Sequence, residues 1–178
     1  MAVGPEVSDN VTMSTIDEYG TPVTTYSWND WMNEVPGWVD DEYAPYEGVK
    51  LAPGMGLWTS GSDATQQIQS AGEVGMSDVV VNLRLGYTLV GNPFPVAVDL
   101  QDIVAAGDEA SDNVTMSTVD EYGTPVTTYS WNDWMCDTPC WVDEDYAPYE
   151  GVKIAPGQSL WTSGSSDTQS IRIPAPEL

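Results

Sequence analysis

Along most of the chain apolar and polar residues alternate, which is the pattern of β-strands that bury one face. NVTMSTIDEY at 10–19 and VTTYSW at 23–28 predict two strands joined by a Gly-Thr-Pro turn. GVKLAPGMGLWTSG at 48–61 predicts two more strands around a Pro-Gly turn, and TQQIQ at 65–69 predicts another. Because helical periodicity is nearly absent, the predicted fold class is all-β.

The chain contains this pattern twice, at an offset of 103 residues. Residues 9–69 and 112–172 align without gaps and are identical at 47 of 61 positions. An internal repeat of this length predicts two similar structural units. We therefore expect two tandem β-sandwich-like, jelly-roll-like units, formed by residues 1–75 and 76–178.

A segment between the two copies, residues 79–103, has no counterpart in the first copy. Its run VVVNLRLGYTLVG is the strongest β-pattern in the chain, and Asn-Pro-Phe-Pro at 92–95 interrupts regular pairing. VDLQDIV at 98–104 predicts a short helical turn capped by Asp99. We call residues 79–103 the front and residues 104–172 the body of the second repeat.

The first repeat has a body and lacks a front, because Met1 aligns with Val104. Met1 thus falls inside the repeat unit and need not be an initiator. A sandwich without its first strands is expected to expose an open edge and an apolar face. Either the first copy folds differently around the loss, or a neighbouring subunit completes it by strand addition and so builds a filament. The candidate assembly strands carry Val79, Val81, Leu83, Leu85, Ile171 and Ile173.

The charge of the chain disfavours several function classes. There are 28 acidic residues against 4 Lys and Arg, with no His and a net charge of −24. This charge disfavours nucleic acid and anionic membranes as partners. Without His, neither a Ser-His-Asp nor a Cys-His nucleophile nor a His-containing zinc site is available, so we expect no enzyme and no cofactor. The acidity fits a soluble protein, a salty medium or screening by divalent cations.

No apolar run approaches the 18 residues that a membrane-spanning helix needs. The stretch MAVGPEVSDN lacks the basic region and apolar core of a signal peptide, so a secreted form is expected to be processed.

The two cysteines lie in the second copy alone, in the sequence C-D-T-P-C. Cys136 and Cys140 stand where the first copy has Asn33 and Gly37. This spacing favours a local disulfide across a turn, in an oxidising compartment. A reduced pair or a redox motif is the alternative.

A loop dense in Trp, Asp and Pro, residues 29–46, follows the second predicted strand in each copy. Aromatic rings beside Asn and Asp are what a sugar site uses, whereas packing and subunit contact are the simpler roles. The strand residues Trp58 and Trp161 are predicted to lie in the core. The candidate carbohydrate or interface aromatics are Trp28, Trp31, Trp38, Trp131, Trp134 and Trp141.

Acidic triplets in the same loops are candidate calcium ligands, because carboxylate oxygens are the groups that Ca²⁺ prefers. Their spacing does not match an EF-hand, and a solvated acidic loop is the alternative. The triplets are Asp40, Asp41 and Glu42, and Asp143, Glu144 and Asp145. Asn10 and Asn113 begin N-V-T sequons and are candidate glycosylation sites.

One stretch resembles a known family. GYTLVGNPFP at 86–95, a central TTYSW strand and GVKIAPGQSLWTSG at 151–164 are similar to the GNPFP/PGxxLW β-sandwich domains of large secreted or surface-anchored bacterial proteins. Thr88 stands where that pattern has Asn. The resemblance covers the second copy fully and the first in its later two-thirds. It implies an extracellular structural or adhesive role rather than a reaction.

These observations lead to two function hypotheses. The first is an extracellular or cell-surface structural protein that self-assembles into a filament or layer through strand complementation. The second is a carbohydrate-binding or adhesive module that uses the Trp-rich loops.

Overall fold

The computed structural model describes residues 1–32, 34–46, 50–70 and 73–177. They form antiparallel sheets with one short 3₁₀ helix, so the all-β prediction is confirmed. The chain divides into two compact units. The first comprises Met1–Asp17, Thr21–Leu51 and Leu57–Glu73, and the second comprises Glu18–Gly20, Ala52–Gly56 and Val74–Leu178.

The first unit contains a four-stranded sheet and a two-stranded sheet. Its strands are β1 (Ala2–Val3), β2 (Thr12–Ile16), β3 (Pro22–Asn29), β4 (Gly37–Val39), β5 (Trp58–Ser60) and β6 (Gln67–Ile68). The larger sheet has the order β4-β3-β2-β5, and the smaller one pairs β1 with β6.

The second unit contains a five-stranded, a three-stranded and a two-stranded sheet. Its elements are β7 (Val79–Asn82), β8 (Gly86–Gly91), β9 (Val98–Asp99), the 3₁₀ helix (Leu100–Asp102), β10 (Val104–Ala106), β11 (Thr115–Val119), β12 (Pro125–Asn132), β13 (Cys140–Val142), β14 (Lys153–Ile154), β15 (Ser159–Gly164) and β16 (Ser170–Ile173). The sheets have the orders β13-β12-β11-β15-β8, β10-β16-β7 and β14-β9. The predicted helical turn is present as the 3₁₀ helix, and the Asp99 carboxylate accepts a hydrogen bond from the Gln101 N–H at 3.1 Å.

The hairpins β2–β3 and β11–β12 are built in the same way. The tip of β11–β12 is closed by the Asp120 carboxylate, which accepts hydrogen bonds from the N–H groups of Tyr122 and Thr124 at 2.9 and 2.8 Å. The strands are joined across the hairpin by a Ser117–Thr128 hydroxyl pair at 2.9 Å. Asp is favoured at such turns because its carboxylate satisfies backbone donors two and four residues on.

One strand predicted for both copies forms in the second unit only. β14 exists because Lys153 and Ile154 pair with Asp99 and Val98 of the front. The first copy has no front, and its Lys50 and Leu51 are not in a strand. Residues 48 and 49, which the same prediction included, lie outside the described residues.

The two units differ most in their cores. The second unit encloses a large cluster, to which the front contributes Leu83, Val90, Phe94, Val98, Leu100 and Ile103. The cluster of the first unit consists of Ala2, Val7, Val11 and Trp28, with Trp38 packed against it. A front therefore supplies about a third of the buried apolar residues of a complete unit.

Candidate functional site

The larger sheet of the first unit stops one strand short of its counterpart. In the second unit β15 lies between β11 and β8 and pairs with β8 over six residues, from Ser159↔Gly91 to Gly164↔Gly86. In the described part of the first unit, β5 pairs with β2 alone and is the edge of its sheet. The strand that would stand beside β5 corresponds to β8 of a front.

The smaller sheet of the first unit stops in the same way. β16 lies between β10 and β7, with Ile171 opposite Val81 and Ile173 opposite Val79. β6, its counterpart, is an edge strand that pairs with β1 only, as far as the described residues extend. We call β5 and β6 the open edges. Both end where a front would continue the sheet.

Residues at the open edges are exposed where their counterparts are buried. Ile68 is 36% exposed, whereas the equivalent Ile171 is fully buried. Thr59 is exposed and the equivalent Thr162 is fully buried. Exposed sheet edges next to apolar side chains are typical sites for pairing with another chain.

The direction of the backbone groups at β5 follows from the second unit. On β8, Tyr87, Leu89 and Gly91 make hydrogen bonds on the side away from β15, with Glu18, Gly56 and Gly54. In an antiparallel pair successive residues bond to alternate sides, so Gly86, Thr88 and Val90 of β8 face β15. Thr88 pairs with Thr162. The equivalent Thr59 therefore directs its N–H and C=O away from β2, toward the open edge.

The 3₁₀ helix of the front fixes the tryptophan on β13. Trp141 is fully buried, and its indole Nε1–H donates to the carbonyl of Ile103 at 2.8 Å. The Gln101 amide donates to the carbonyls of Trp141 and Tyr149 and accepts from the Trp141 N–H, over 2.6 to 3.0 Å. Trp38, the equivalent residue in the first unit, is half-buried.

The candidate assembly strands are both used inside the second unit. Val79 and Val81 on β7 pair with Ile173 and Ile171 on β16, and Leu83 is buried in the core. Leu85 is exposed. Neither strand is a loose segment, so donating either one to a neighbour would open the unit that contains it.

Asp78, just before the front, makes hydrogen bonds to the end of the second unit. Its carboxylate accepts the Ala175 N–H at 3.0 Å and a guanidinium hydrogen of Arg172 at 2.8 Å. These two donors, the backbone N–H first, hold the pKa of Asp78 below its ordinary value. The stabilisation is therefore present above the ordinary carboxyl pKa and is lost as the pH falls through the lowered one.

A second feature, which the sequence did not reveal as a unit, is an Asp–Asn–Trp bracket that occurs in both copies. The Asp112 carboxylate accepts hydrogen bonds from the Asn132 amide at 2.9 Å and from the Trp134 indole at 3.1 Å. The Asn132 carbonyl accepts the N–H groups of Trp134 and Met135. Asp9, Asn29 and Trp31 make the same contacts in the first unit.

The bracket fixes an exposed tryptophan ring in each unit. Trp31 and Trp134 are 62% and 60% exposed, and their ring centroids lie 6.3 and 6.0 Å from those of Tyr43 and Tyr146. Of the other candidate aromatics, Trp28, Trp131 and Trp141 are buried and so do not face a ligand, and Trp38 is half-buried.

Trp58 and Trp161 are half-buried rather than core residues. They lie on strand positions whose neighbours along the strand, such as Leu160 and Thr162, turn inward.

The acidic triplets of the loops form turns. The Asp40 carboxylate accepts the N–H groups of Glu42 and Ala44, and Asp143 does the same for Asp145 and Ala147. Within the described ranges no three His, Cys, Asp or Glu side chains come together as a metal site. The calcium hypothesis thus gains no geometric support.

The candidate glycosylation residues Asn10 and Asn113 are exposed. Each side-chain amide donates to a backbone carbonyl four residues earlier, that of Glu6 and of Glu109, at 2.8 and 2.9 Å.

Cys136 and Cys140 form the predicted disulfide, with Cα atoms 6.3 Å apart. It joins the end of the Trp134 loop to β13. Because the closed loop is short, it stabilises the second unit by about 2 kcal/mol. A disulfide is compatible with an extracellular location. In the described part of the chain, no helix has the length and apolarity to cross a membrane.

Comparison with models of protein families, with curated protein sequences and with solved structures finds no match for this chain.

Proposed function

We propose that the protein is an extracellular structural protein, a subunit of a filament or surface layer that assembles by strand complementation. The first unit is the acceptor. The observation that carries this proposal is the pair of open edges at β5 and β6, where both sheets stop at the strand that a front would continue.

The chemistry of the edges supports an acceptor role. An added strand at β5 would satisfy the outward backbone groups of Thr59, and one at β6 would cover Ile68. Such a contact joins different surfaces of successive subunits, so it propagates unless its rotation closes a ring.

Three features support the extracellular setting. The Cys136–Cys140 disulfide belongs to an oxidising compartment. The charge of −24 fits a medium outside the cell in which divalent cations screen the carboxylates. The GNPFP and PGxxLW motifs are similar to those of secreted β-sandwich domains.

The first experiment measures the size of the full chain by sedimentation velocity and negative-stain microscopy over a range of concentrations. We expect species larger than the monomer that increase with concentration. Thr59→Pro, which removes an N–H from the open edge, is expected to reduce them, whereas Thr59→Val keeps the N–H and is the matched control. A chain that stays monomeric at every concentration would overturn the assembly role.

The bracketed tryptophans favour a second candidate function, carbohydrate binding. Trp31 and Trp134 present fixed, exposed rings beside acidic side chains, as a sugar-stacking surface requires. Under this candidate, glycans change the Trp fluorescence of the full chain, and Trp31→Ala with Trp134→Ala abolishes the change. Tyr19→Ala, which removes an exposed ring in the hairpin turn, is the control. A fluorescence response that survives the double substitution would exclude these rings as the site.

A further inference from the structure

The 178 residues contain two bodies and one front, and the structure places that front in the second unit. We propose that the open edges of the first unit bind a front-type segment, an extended polypeptide with the sequence pattern of residues 77–103, supplied by another polypeptide. This inference rests on the proposed acceptor role of the first unit and names its partner.

The strand that would receive β8 is almost the same in both bodies. Residues 56–61 read GLWTSG and residues 159–164 read SLWTSG, so five of six positions are identical. In the second unit this stretch pairs with β8 along its whole length. Thr59 occupies the position of Thr162, so its N–H and C=O are directed toward an incoming strand as those of Thr162 are directed toward β8. Gly56, at the start of the stretch, already donates its N–H to the Leu89 carbonyl at 3.0 Å, so the incoming strand would pair with the later residues.

The receptor for the 3₁₀ helix is also present. In the second unit the Tyr149 N–H donates to the Trp141 carbonyl at 2.9 Å, and Gln101 of the front bonds to both residues. In the first unit the Tyr46 N–H donates to the Trp38 carbonyl at the same 2.9 Å. The groups that Gln101 would bond are therefore already arranged around Trp38.

The first unit differs from the second at the strand that would receive β7, and this difference predicts which portions of a front contribute most to binding. Ile173 and Arg172 of β16 correspond to Ser70 and Gln69 in the first copy. The first unit therefore lacks the apolar partner of Val79 and the ion pair with Asp78. We expect the β8 and 3₁₀ portions of a front to dominate its binding, with the β7 portion contributing less.

The test uses a synthetic peptide of residues 77–103 and the full chain. We expect saturable binding of one peptide per chain, and hydrogen–deuterium exchange protection at residues 57–60 and around Trp38. A peptide with Leu89→Asp and Leu100→Asp should bind at least about tenfold more weakly, as should the intact peptide to the Thr59→Pro chain. The peptide should also suppress any concentration-dependent association. No binding of the intact peptide, or protection confined to the second unit, would overturn the inference.

Two extended chains test it without a soluble peptide. Residues 77–103 placed before Met1 give each body its own front, so this chain should stay monomeric with Trp38 protected. The same residues placed after Leu178 give a chain with an unused front at its C-terminal end and an open first unit at its N-terminal end. This chain should therefore form head-to-tail polymers. Equal sizes for the two chains would contradict the inference.

The outcomes separate the two proposals. Association of the unmodified chain without peptide binding supports the assembly role and overturns the front as partner. Peptide binding by a chain that never associates supports the partner and overturns self-assembly.

Discussion

Trp141→Ala is expected to destabilise the second unit by about 3–5 kcal/mol, the usual cost of truncating a fully buried tryptophan. Trp141 is completely buried, its ring centroid lies 5.3 Å from that of Trp131, and its indole donates to Ile103. The substitution removes this packing, leaves a cavity and frees the Ile103 carbonyl. It therefore removes the side-chain contact between the front and β13, whereas the hydrogen bonds from Gln101 to the backbone of residue 141 remain.

The repeat supplies the matched control, Trp38→Ala. Trp38 is followed by the same Val-Asp pair and has a similar ring contact, 5.4 Å from Trp28, but it is half-buried. We expect a clearly smaller loss in the first unit. Hydrogen–deuterium exchange under increasing urea reports on peptides of each unit separately and so measures both losses in one chain. Equal losses for the two substitutions would show that the front does not account for the burial of Trp141.

The hairpins and the capped turn could be predicted from local sequence. Alternation in TMST and TTYS, with Gly-Thr-Pro between them, predicts the β2–β3 and β11–β12 pairs. Asp99 ahead of Leu-Gln-Asp predicts the capped 3₁₀ helix. These features depend on neighbours within a few residues, which is why the residue pattern is sufficient.

Whether each tryptophan is buried or exposed could not be predicted from local sequence. Trp38 and Trp141 lie in similar local sequences, P-G-W-V-D and P-C-W-V-D. Trp141 is fully buried and Trp38 is half-buried, and Trp141 is contacted by Gln101 and Ile103 from about forty residues away. Trp131, on β12, and Trp134, in the loop that follows, are three residues apart, and Trp131 is buried while Trp134 is exposed. The Asp112 bracket decides the second case, and its members lie twenty and twenty-two residues apart.

The acidic composition also has a structural explanation that the charge alone did not suggest. Many carboxylates accept backbone N–H groups in turns, as Asp40, Asp120 and Asp143 do. Asp63 shows the electrostatic result, since hydrogen bonds from the Thr65 hydroxyl and N–H lower its pKa. These carboxylates bind backbone donors in exposed turns, where water is the competing partner, and so favour the turn conformation.

Asn132→Asp is expected to destabilise the second unit by about 3 kcal/mol at neutral pH. Asn132 is fully buried, and its amide donates to the Asp112 carboxylate at 2.9 Å. The substitution replaces this donor with a second carboxylate, so a hydrogen bond becomes a like-charge contact. The new side chain still accepts the N–H groups of Trp134 and Met135, which isolates the effect to the contact with Asp112.

The loss should depend on pH in a defined direction. Repulsion raises the pKa of the carboxylate pair in the folded variant above the ordinary value of about 4, so the folded state binds more protons than the unfolded one. The variant should therefore regain stability as the pH falls from 7 toward 4, because a protonated carboxyl donates a hydrogen bond again.

Asn29→Asp should behave alike in the first unit, where the equivalent distance is 3.0 Å. Gln158→Glu adds the same charge at an exposed position and keeps the acceptor for the Ala155 N–H, so it is the control. Urea unfolding at pH 7 and pH 5 makes the comparison. If Asn132→Asp and Gln158→Glu lose equal stability, or if the loss is the same at both pH values, the bracket is not the cause.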